Sequence, residues 1–171
     1  ELGISKVVAP MVESQYAAFK YIKALERVFV NDPYKPKSFI NVETKSGFKK
    51  IKEICSVISQ NLDGIVLGRV DYVGSLGLSR EVINSERILN DALVIAKECL
   101  NNELNFVVGG GISQKAIPFL KKIQEVKLDN FETRKCVFDS KILKTSDLDE
   151  SLKNSIEFAL LWLKNKKNFL K

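Results

Sequence analysis

The chain has 171 residues, 45% hydrophobic and 28% charged, a composition that builds one folded core and excludes a disordered or membrane-spanning class. Its 27 Lys and Arg exceed its 21 Asp and Glu to give a charge of +6, but the lysines are interleaved with glutamates along helical stretches. The one dense cluster, LKNKKNFLK, ends a helix where cations suit the dipole, so no nucleic-acid partner is implied.

In chain order, the first strand candidate is KVVAPMV at 6–12, followed by Glu13 and by Ser14, which is placed to cap a helix. SFINVE at 38–43 is the second, ending on Glu43, with Ser46 as the next cap and a helix carrying Phe48, Ile51, Ile54, Cys55 and Ile58 on one face. GIVLGRV at 64–70 is the third, and Asp71 follows it at the head of a Gly- and Ser-containing loop, YVGSLG. Ser85 precedes a helix with Ile88, Ala92, Ile95, Ala96 and Cys99 at helical spacing. NFVVGG at 105–110 is the fourth strand, Ser113 is placed to cap the next helix, and ETRKCVF at 132–138 is the fifth strand. A helix over about 147–170 closes the chain. The strands are apolar nearly throughout, as in parallel sheets covered on both faces, so the pattern is repeated βα.

Histidine is absent. This removes the usual zinc ligand, the commonest general base and every Ser-His or Cys-His nucleophile, leaving carboxylates, Lys, Arg, Tyr, backbone amides or a metal. Cys55, Cys99 and Cys136 lie far apart and read as reduced core thiols. No apolar run approaches the roughly 20 residues of a membrane helix, and the first residues lack a signal-peptide layout, so a cytoplasmic location without membrane contact is the expectation.

Repeated βα units make either an open doubly wound sheet or a closed barrel, and both place function at the C-terminal ends of the strands. Glu13, Glu43 and Asp71 all fall there. Adjacent parallel strands lie about 4.8 Å apart, so two strand-end carboxylates can share one ion. Without histidine or thiolate, a pair such as Glu43 and Asp71 favours Mg²⁺ or Mn²⁺, although Asp71 could equally cap its loop. Glu13 suits a helix start or a supporting role. Arg69 could hold an anionic substrate or pair with a nearby acid. Gly109, Gly110 and Gly111, leading to Ser113, form either an anion-binding loop or a tight turn needing positive φ.

The succession VVAPMVES, INVETKSG, LDGIVLGRVDYVGSLGL, VVGGGIS and FETRKCVF resembles the HpcH/HpaI aldolase and citrate lyase superfamily. The resemblance implies a TIM-type (β/α)8 barrel of which residues 1–171, as one domain, supply the fourth to eighth βα units. It implies a metal held by Glu43 and Asp71, and a substrate carboxylate held by backbone amides of Gly68, Arg69 and Val70. It places a substrate arginine and a histidine base in a part of the barrel outside this sequence. The implied activity is that of a divalent-metal-dependent carbon-carbon lyase, cleaving or forming an aldol bond of a 2-oxo acid through a metal-stabilised enolate. A citrate-lyase-like acyl-CoA ester lyase is the enzymatic alternative, and a non-catalytic scaffold or regulatory fragment the alternative from another class.

Two structural expectations accompany this reading. Five parallel strands would leave edges near Val8 and Val137 that other residues or another chain should cover. In the last helix Leu148, Leu152, Ile156, Ala159, Leu160 and Leu163 form a stripe toward the barrel, while Phe158, Leu161 and Trp162 lie off it; this second face would pack on another helix of the same chain or, as the resemblance favours, form a homo-oligomer through this helix.

Overall fold

The computed structural model describes residues 3–31 and 35–169. In chain order the elements are β1 (Lys6–Ala9), α1 (Gln15–Val28), β2 (Lys37–Val42), α2 (Lys45–Lys49), α3 (Ile51–Ile58), β3 (Gly64–Gly68), α4 (Arg69–Ser75), α5 (Glu86–Asn101), β4 (Asn105–Gly109), α6 (Ile117–Gln124), β5 (Asn130–Glu132), β6 (Val137–Asp139) and α7 (Leu148–Phe169). Single 3-10 turns occupy Arg80–Asn84, Gln114–Ala116 and Ser140–Lys144.

The strands form one half-barrel sheet in the order β1-β2-β3-β4-β5-β6. The first five are mutually parallel, and β6 returns antiparallel to β5. Alternation along each strand sorts the side chains. Ile40, Val42, Ile65, Leu67, Phe106, Val108 and Phe131 face the helices and join the main core with Ile54, Ile58, Ile88, Ile95 and Leu120. Each such side chain contributes about 1.5–3 kcal/mol when buried. The other face carries a separate apolar cluster of Phe39, Val66 and Val107. Above that cluster, toward the strand ends, the same face turns polar.

Local chemistry explains most element ends. β1 stops at Ala9 because Pro10 has no amide to donate and Met11 has φ 51, yet the ladder resumes where the Val12 amide donates to Asn41 O at 3.1 Å. Ser14 caps α1 as expected, its hydroxyl accepting from the Ala17 amide at 3.1 Å.

Four expectations are corrected. Thr44, rather than Ser46, caps α2, accepting from Gly47 N. The helix expected to run from Phe48 to Ile58 breaks at Lys50, whose φ of −109 and ψ of 18 leave the helical region. The segment 64–70 is not all strand: β3 ends at Gly68, and residues 69–75 coil into α4, because Tyr72 and Val73 are buried and the Tyr72 hydroxyl donates to Asp91 at 2.8 Å. ETRKCVF is not one strand but the close of β5, a turn and the start of β6. The Thr133 amide donates to Cys136 O at 2.8 Å across that turn, and Phe131 stacks on Phe138.

The last helix also departs from expectation. Leu148, Leu152 and Ser155 are buried, but Ile156, Leu160 and Leu163, expected in the covering stripe, are exposed along with Phe158, Leu161 and Trp162. α7 rests on the 3-10 turn at Ser140–Lys144, and the Lys135 ammonium lies 4.5 Å from the Trp162 ring centre. Val8 and Val137 are exposed on the edge strands. Cys55 and Cys99 are buried free thiols, whereas Cys136 is only partly buried. Among the described residues no helix is long and apolar enough to cross a membrane.

Candidate functional site

Glu43 is the first residue after β2. The pairing of Val42 with Leu67 brings it level with Gly68 on β3. Its side chain is 5% exposed, so it must be held by hydrogen bonds. The Met11 amide donates to Oε1 at 2.9 Å and the Asn41 amide group donates to Oε2 at 2.6 Å. Gly68 is required by the close approach: a Cβ there would stand 2.6 Å from Glu43 Oε2 and 2.9 Å from its Cβ. Burial pushes the Glu43 carboxyl above its ordinary pKa, the Met11 amide draws it back, and the charge of Asp71 raises it again.

Asp71 sits in the first turn of α4 and is exposed, rather than on a loop. It shares with Glu43 an open cavity of about 570 Å³, bordered also by Met11, Thr44, Val70 and Arg80. Asn41 Oδ1 is buried beside Gly68 with no hydrogen-bond partner among the described residues. Two carboxylates and an orphaned amide oxygen make an all-oxygen donor set, which fits a hard divalent cation. Among the described residues no three of His, Cys, Asp and Glu converge on a point, so such an ion would rest on two protein carboxylates and take its other ligands from substrate and water.

Arg69 is placed elsewhere. Its side chain is fully buried, does not border the cavity and pairs with no acid among the described residues. Nε donates to Gly109 O at 3.3 Å, Nη1 to Asn84 Oδ1 at 2.8 Å and Nη2 to Gly110 O at 2.7 Å, while the guanidinium stacks 4.6 Å from the Phe119 ring centre. Burial lowers its pKa to about 10, which still leaves it charged at neutral pH. The side chain therefore fastens the turn after β4, and only the backbone of Arg69 remains for a substrate. That backbone, with Val70, opens α4, where amides lack helical acceptors. Gly110 packs close above it: a Cβ there would lie 2.9 Å from the Val70 nitrogen.

The glycine run shows the features of the tight turn. Gly110 and Gly111 have φ of 79 and 63, which L residues rarely adopt. Ser113 opens a 3-10 turn without a side-chain cap bond. Gly111 and Ser113 instead border a second cavity of about 450 Å³ with Arg80 and Lys115. Glu13, on the loop before α1, does not border the Glu43 cavity.

Sequence reasoning misses Glu132. It closes β5 as Glu43 follows β2, and its carboxyl lies over Gly109, where a Cβ would be 2.8 Å from Oε1. The signal is present in FETRK, an acid after an apolar strand residue, but ETRKCVF reads as a strand that Glu132 begins rather than one that it ends.

A search of curated protein sequences returned no match. The sequence model of a family described as HpcH/HpaI aldolase/citrate lyase matches residues 1–96, a stretch that holds both Glu43 and Asp71. The chain belongs to that family. HpcH/HpaI relatives also appear among solved structures. A citrate lyase from Burkholderia xenovorans LB400 is similar with a TM-score of 0.63 and 10% identity, over 75% of this chain and 44% of its own. A HpcH/HpaI aldolase/citrate lyase family protein from Burkholderia cenocepacia J2315 gives 0.61 and 12% identity, over 94% of this chain and 65% of its own. A HpcH/HpaI aldolase from Desulfitobacterium hafniense DCB-2 gives 0.60 and 11% identity, over 77% and 58%. At such identities the likeness establishes a shared fold, and this chain spans less than two thirds of each relative. As a member of a HpcH/HpaI lyase family, the chain carries a lyase-type architecture.

Proposed function

We propose that the protein is a divalent-metal-dependent carbon-carbon lyase acting on a small 2-oxo acid, with Glu43 and Asp71 holding Mg²⁺ or Mn²⁺. The observation that carries this reading is the geometry of Glu43, buried, aimed by two hydrogen bonds, and sharing its cavity with Asp71 beside the unpartnered Asn41 oxygen. A buried carboxylate beside a second acid is poorly stable as an anion, and a cation between them removes that penalty.

When bound, the metal supplies Lewis-acid polarisation of the 2-oxo group. The chain's own groups do the rest. Met11 N and Asn41 fix both oxygens of Glu43. The backbone opening α4, from Gly68 to Val70, directs amide dipoles at the substrate carboxylate. Arg69 holds Gly109 and Gly110 against that backbone.

The acyl-CoA reading has one observation in its favour, the second cavity that shares Arg80 with the first and adds Lys115, cations suited to phosphates, although Glu81 borders it too. Purified protein, with and without Mn²⁺, is to be assayed for pyruvate release from 4-hydroxy-2-oxo acids and for cleavage of acyl-CoA esters. Metal-dependent pyruvate release supports the aldolase reading, cleavage of the thioester alone selects the alternative, and neither activity together with no Mn²⁺ binding leaves the scaffold reading.

A further inference from the structure

Arg80 stands between two cavities. It borders the one that Glu43 and Asp71 share, and also the second, of about 450 Å³, where Asn84, Gly111, Ser113 and Lys115 stand around it. The walls of that second cavity come from the 3-10 turn Arg80–Asn84 and from the turn that follows β4. One buried side chain ties them together: Arg69 donates through Nη1 to Asn84 Oδ1 at 2.8 Å and through Nη2 to Gly110 O at 2.7 Å. The same two turns also meet where Ile83 is buried against Gly111, so closely that a Cβ on the glycine would stand 2.9 Å from Ile83 Cδ1.

Charge singles this cavity out. Arg80 and Lys115 are exposed on its border and pair with no acid among the described residues, whose ion pairs are Lys23 with Glu26, Lys127 with Asp129 and Lys141 with Asp139. Behind the wall, one hydrogen bond back from Asn84, the Arg69 guanidinium is matched by three neutral oxygens and by no acid. Water screens such a buried charge less than a surface one, so it adds to the field inside the cavity. Against these three cations, Glu81 is the one carboxylate among the described border residues. Ser113 adds a hydroxyl that makes no cap bond. A third cavity, which shares Ser113 and Lys115, is bordered by Asp149, Glu150 and Glu157 with Lys153 as its one further cation, so an anion is repelled there and kept on the Arg80 side.

We propose that this second cavity holds a phosphate ester at the far end of the substrate, with its oxygens on Arg80, Lys115 and Ser113, while the 2-oxo end lies between Glu43 and Asp71. This rests on the metal-dependent lyase reading above and narrows it to 2-oxo acids whose aldehyde half is phosphorylated. A guanidinium, an ammonium and a hydroxyl offer donors from different directions, and a phosphate ester has three terminal oxygens to receive them where a carboxylate has two. Its double charge also suits a surplus of cations better than a single one does. Arg80 then sets specificity: it borders both cavities, so the side chain that holds the phosphate also bounds the space where the bond is broken. The phosphates of an acyl-CoA would meet the same cations, and the test separates the two sources.

The first measurement is calorimetric titration of the metal-free protein with inorganic phosphate, each variant being checked for folding by circular dichroism. Wild type should bind phosphate, Arg80→Gln and Lys115→Gln should each weaken binding about tenfold or more, and Glu81→Gln should tighten it about threefold. Lys97→Gln, at an exposed cation on α5 that does not border the cavity, should stay within about twofold of wild type. The second is Mn²⁺-dependent addition of pyruvate to glyceraldehyde 3-phosphate and to glyceraldehyde: kcat/KM should favour the phosphorylated aldehyde about a hundredfold, and R80Q should cut that ratio about tenfold or more through KM. The third is displacement of bound phosphate by adenosine 3′,5′-bisphosphate, the nucleotide end of CoA, which should bind no more than about threefold tighter than phosphate itself. Absence of phosphate binding in wild type, or an equal loss in K97Q, overturns the site, and turnover of either aldehyde then leaves the lyase reading standing. Tight binding of the bisphosphate with no preference between the aldehydes gives the cavity to CoA and overturns the phosphorylated aldehyde. Phosphate binding through Arg80 with no turnover of either aldehyde overturns the lyase reading and, with it, the substrate assigned to this cavity.

Discussion

Replacing Arg69 by Met tests the placement of this side chain inside the fold. Met has similar length and no charge, so the exchange removes a desolvated cation along with three hydrogen bonds to neutral oxygens on Gly109, Gly110 and Asn84. Relieving the charge is favourable: burial lowers the pKa from 12.5 to about 10, equivalent to about 3 kcal/mol against the charged form. Losing the bonds is unfavourable, since each charge-assisted bond contributes about 1.5–3 kcal/mol and three acceptors are left without a donor. The bonds win, and the expected net loss is about 2–4 kcal/mol. Arg69→Lys should recover little, because an ammonium cannot span the three acceptors in the plane the guanidinium occupies. The assay is urea unfolding followed by circular dichroism, with m unchanged between variants. Equal or greater stability of R69M would refute the staple, and so would full stability combined with a loss confined to substrate affinity, which is what a substrate-facing arginine gives.

Three further outcomes are expected. Glu43→Gln and Asp71→Asn should each weaken Mn²⁺ binding at least about tenfold by calorimetry; because burial raises the Glu43 pKa, protons compete with the metal at higher pH than for an ordinary carboxylate, and affinity should fall as pH drops toward that raised value. Gly68→Ala forces a methyl within 2.6 Å of Glu43 Oε2, so it should lower the melting temperature and Mn²⁺ affinity together, and a variant that changes neither would show that the carboxyl moves aside freely. The exposed apolar residues of α7 are read as a contact between copies of the chain, so Leu161→Glu with Trp162→Glu should reduce the mass measured by light scattering while Mn²⁺ binding persists; an unchanged mass counts against it.

The strands were legible because parallel strands buried on both faces must be apolar throughout, and FINV, GIVLG and NFVVG have few other uses. Glu43 was legible for a related reason: an acid breaking such a run falls at the edge of the sheet. α4 was not, because Gly68, Gly74 and Gly77 around GRVDYVGSLG suggest a loop, and only the burial of Tyr72 and Val73 against other elements makes that stretch helical. The fate of Arg69 depends on contacts with Asn84, 15 positions away, and with Gly109 and Gly110, about 40 away, which no local pattern encodes. The turn between β5 and β6 hid for the opposite reason: Thr133 to Cys136 contains neither Gly nor Pro, so nothing in ETRKCVF punctuates the reversal, and Glu132 is misplaced with it.

The bond from the Met11 amide to Glu43 has a consequence for how the molecule can change over generations. The donor is main chain, so substitutions at position 11 other than proline keep it, provided the backbone holds its φ of 51. The side chain at that position is 60% exposed and borders the cavity. One residue thus carries two duties that mutation can separate: its backbone anchors the carboxylate, and its side chain is free to vary. On the proposed lyase reading, position 11 is where new substrate preferences can be tried without disturbing that acid, and a library randomised there should yield variants that differ in selectivity while sharing one affinity for the metal.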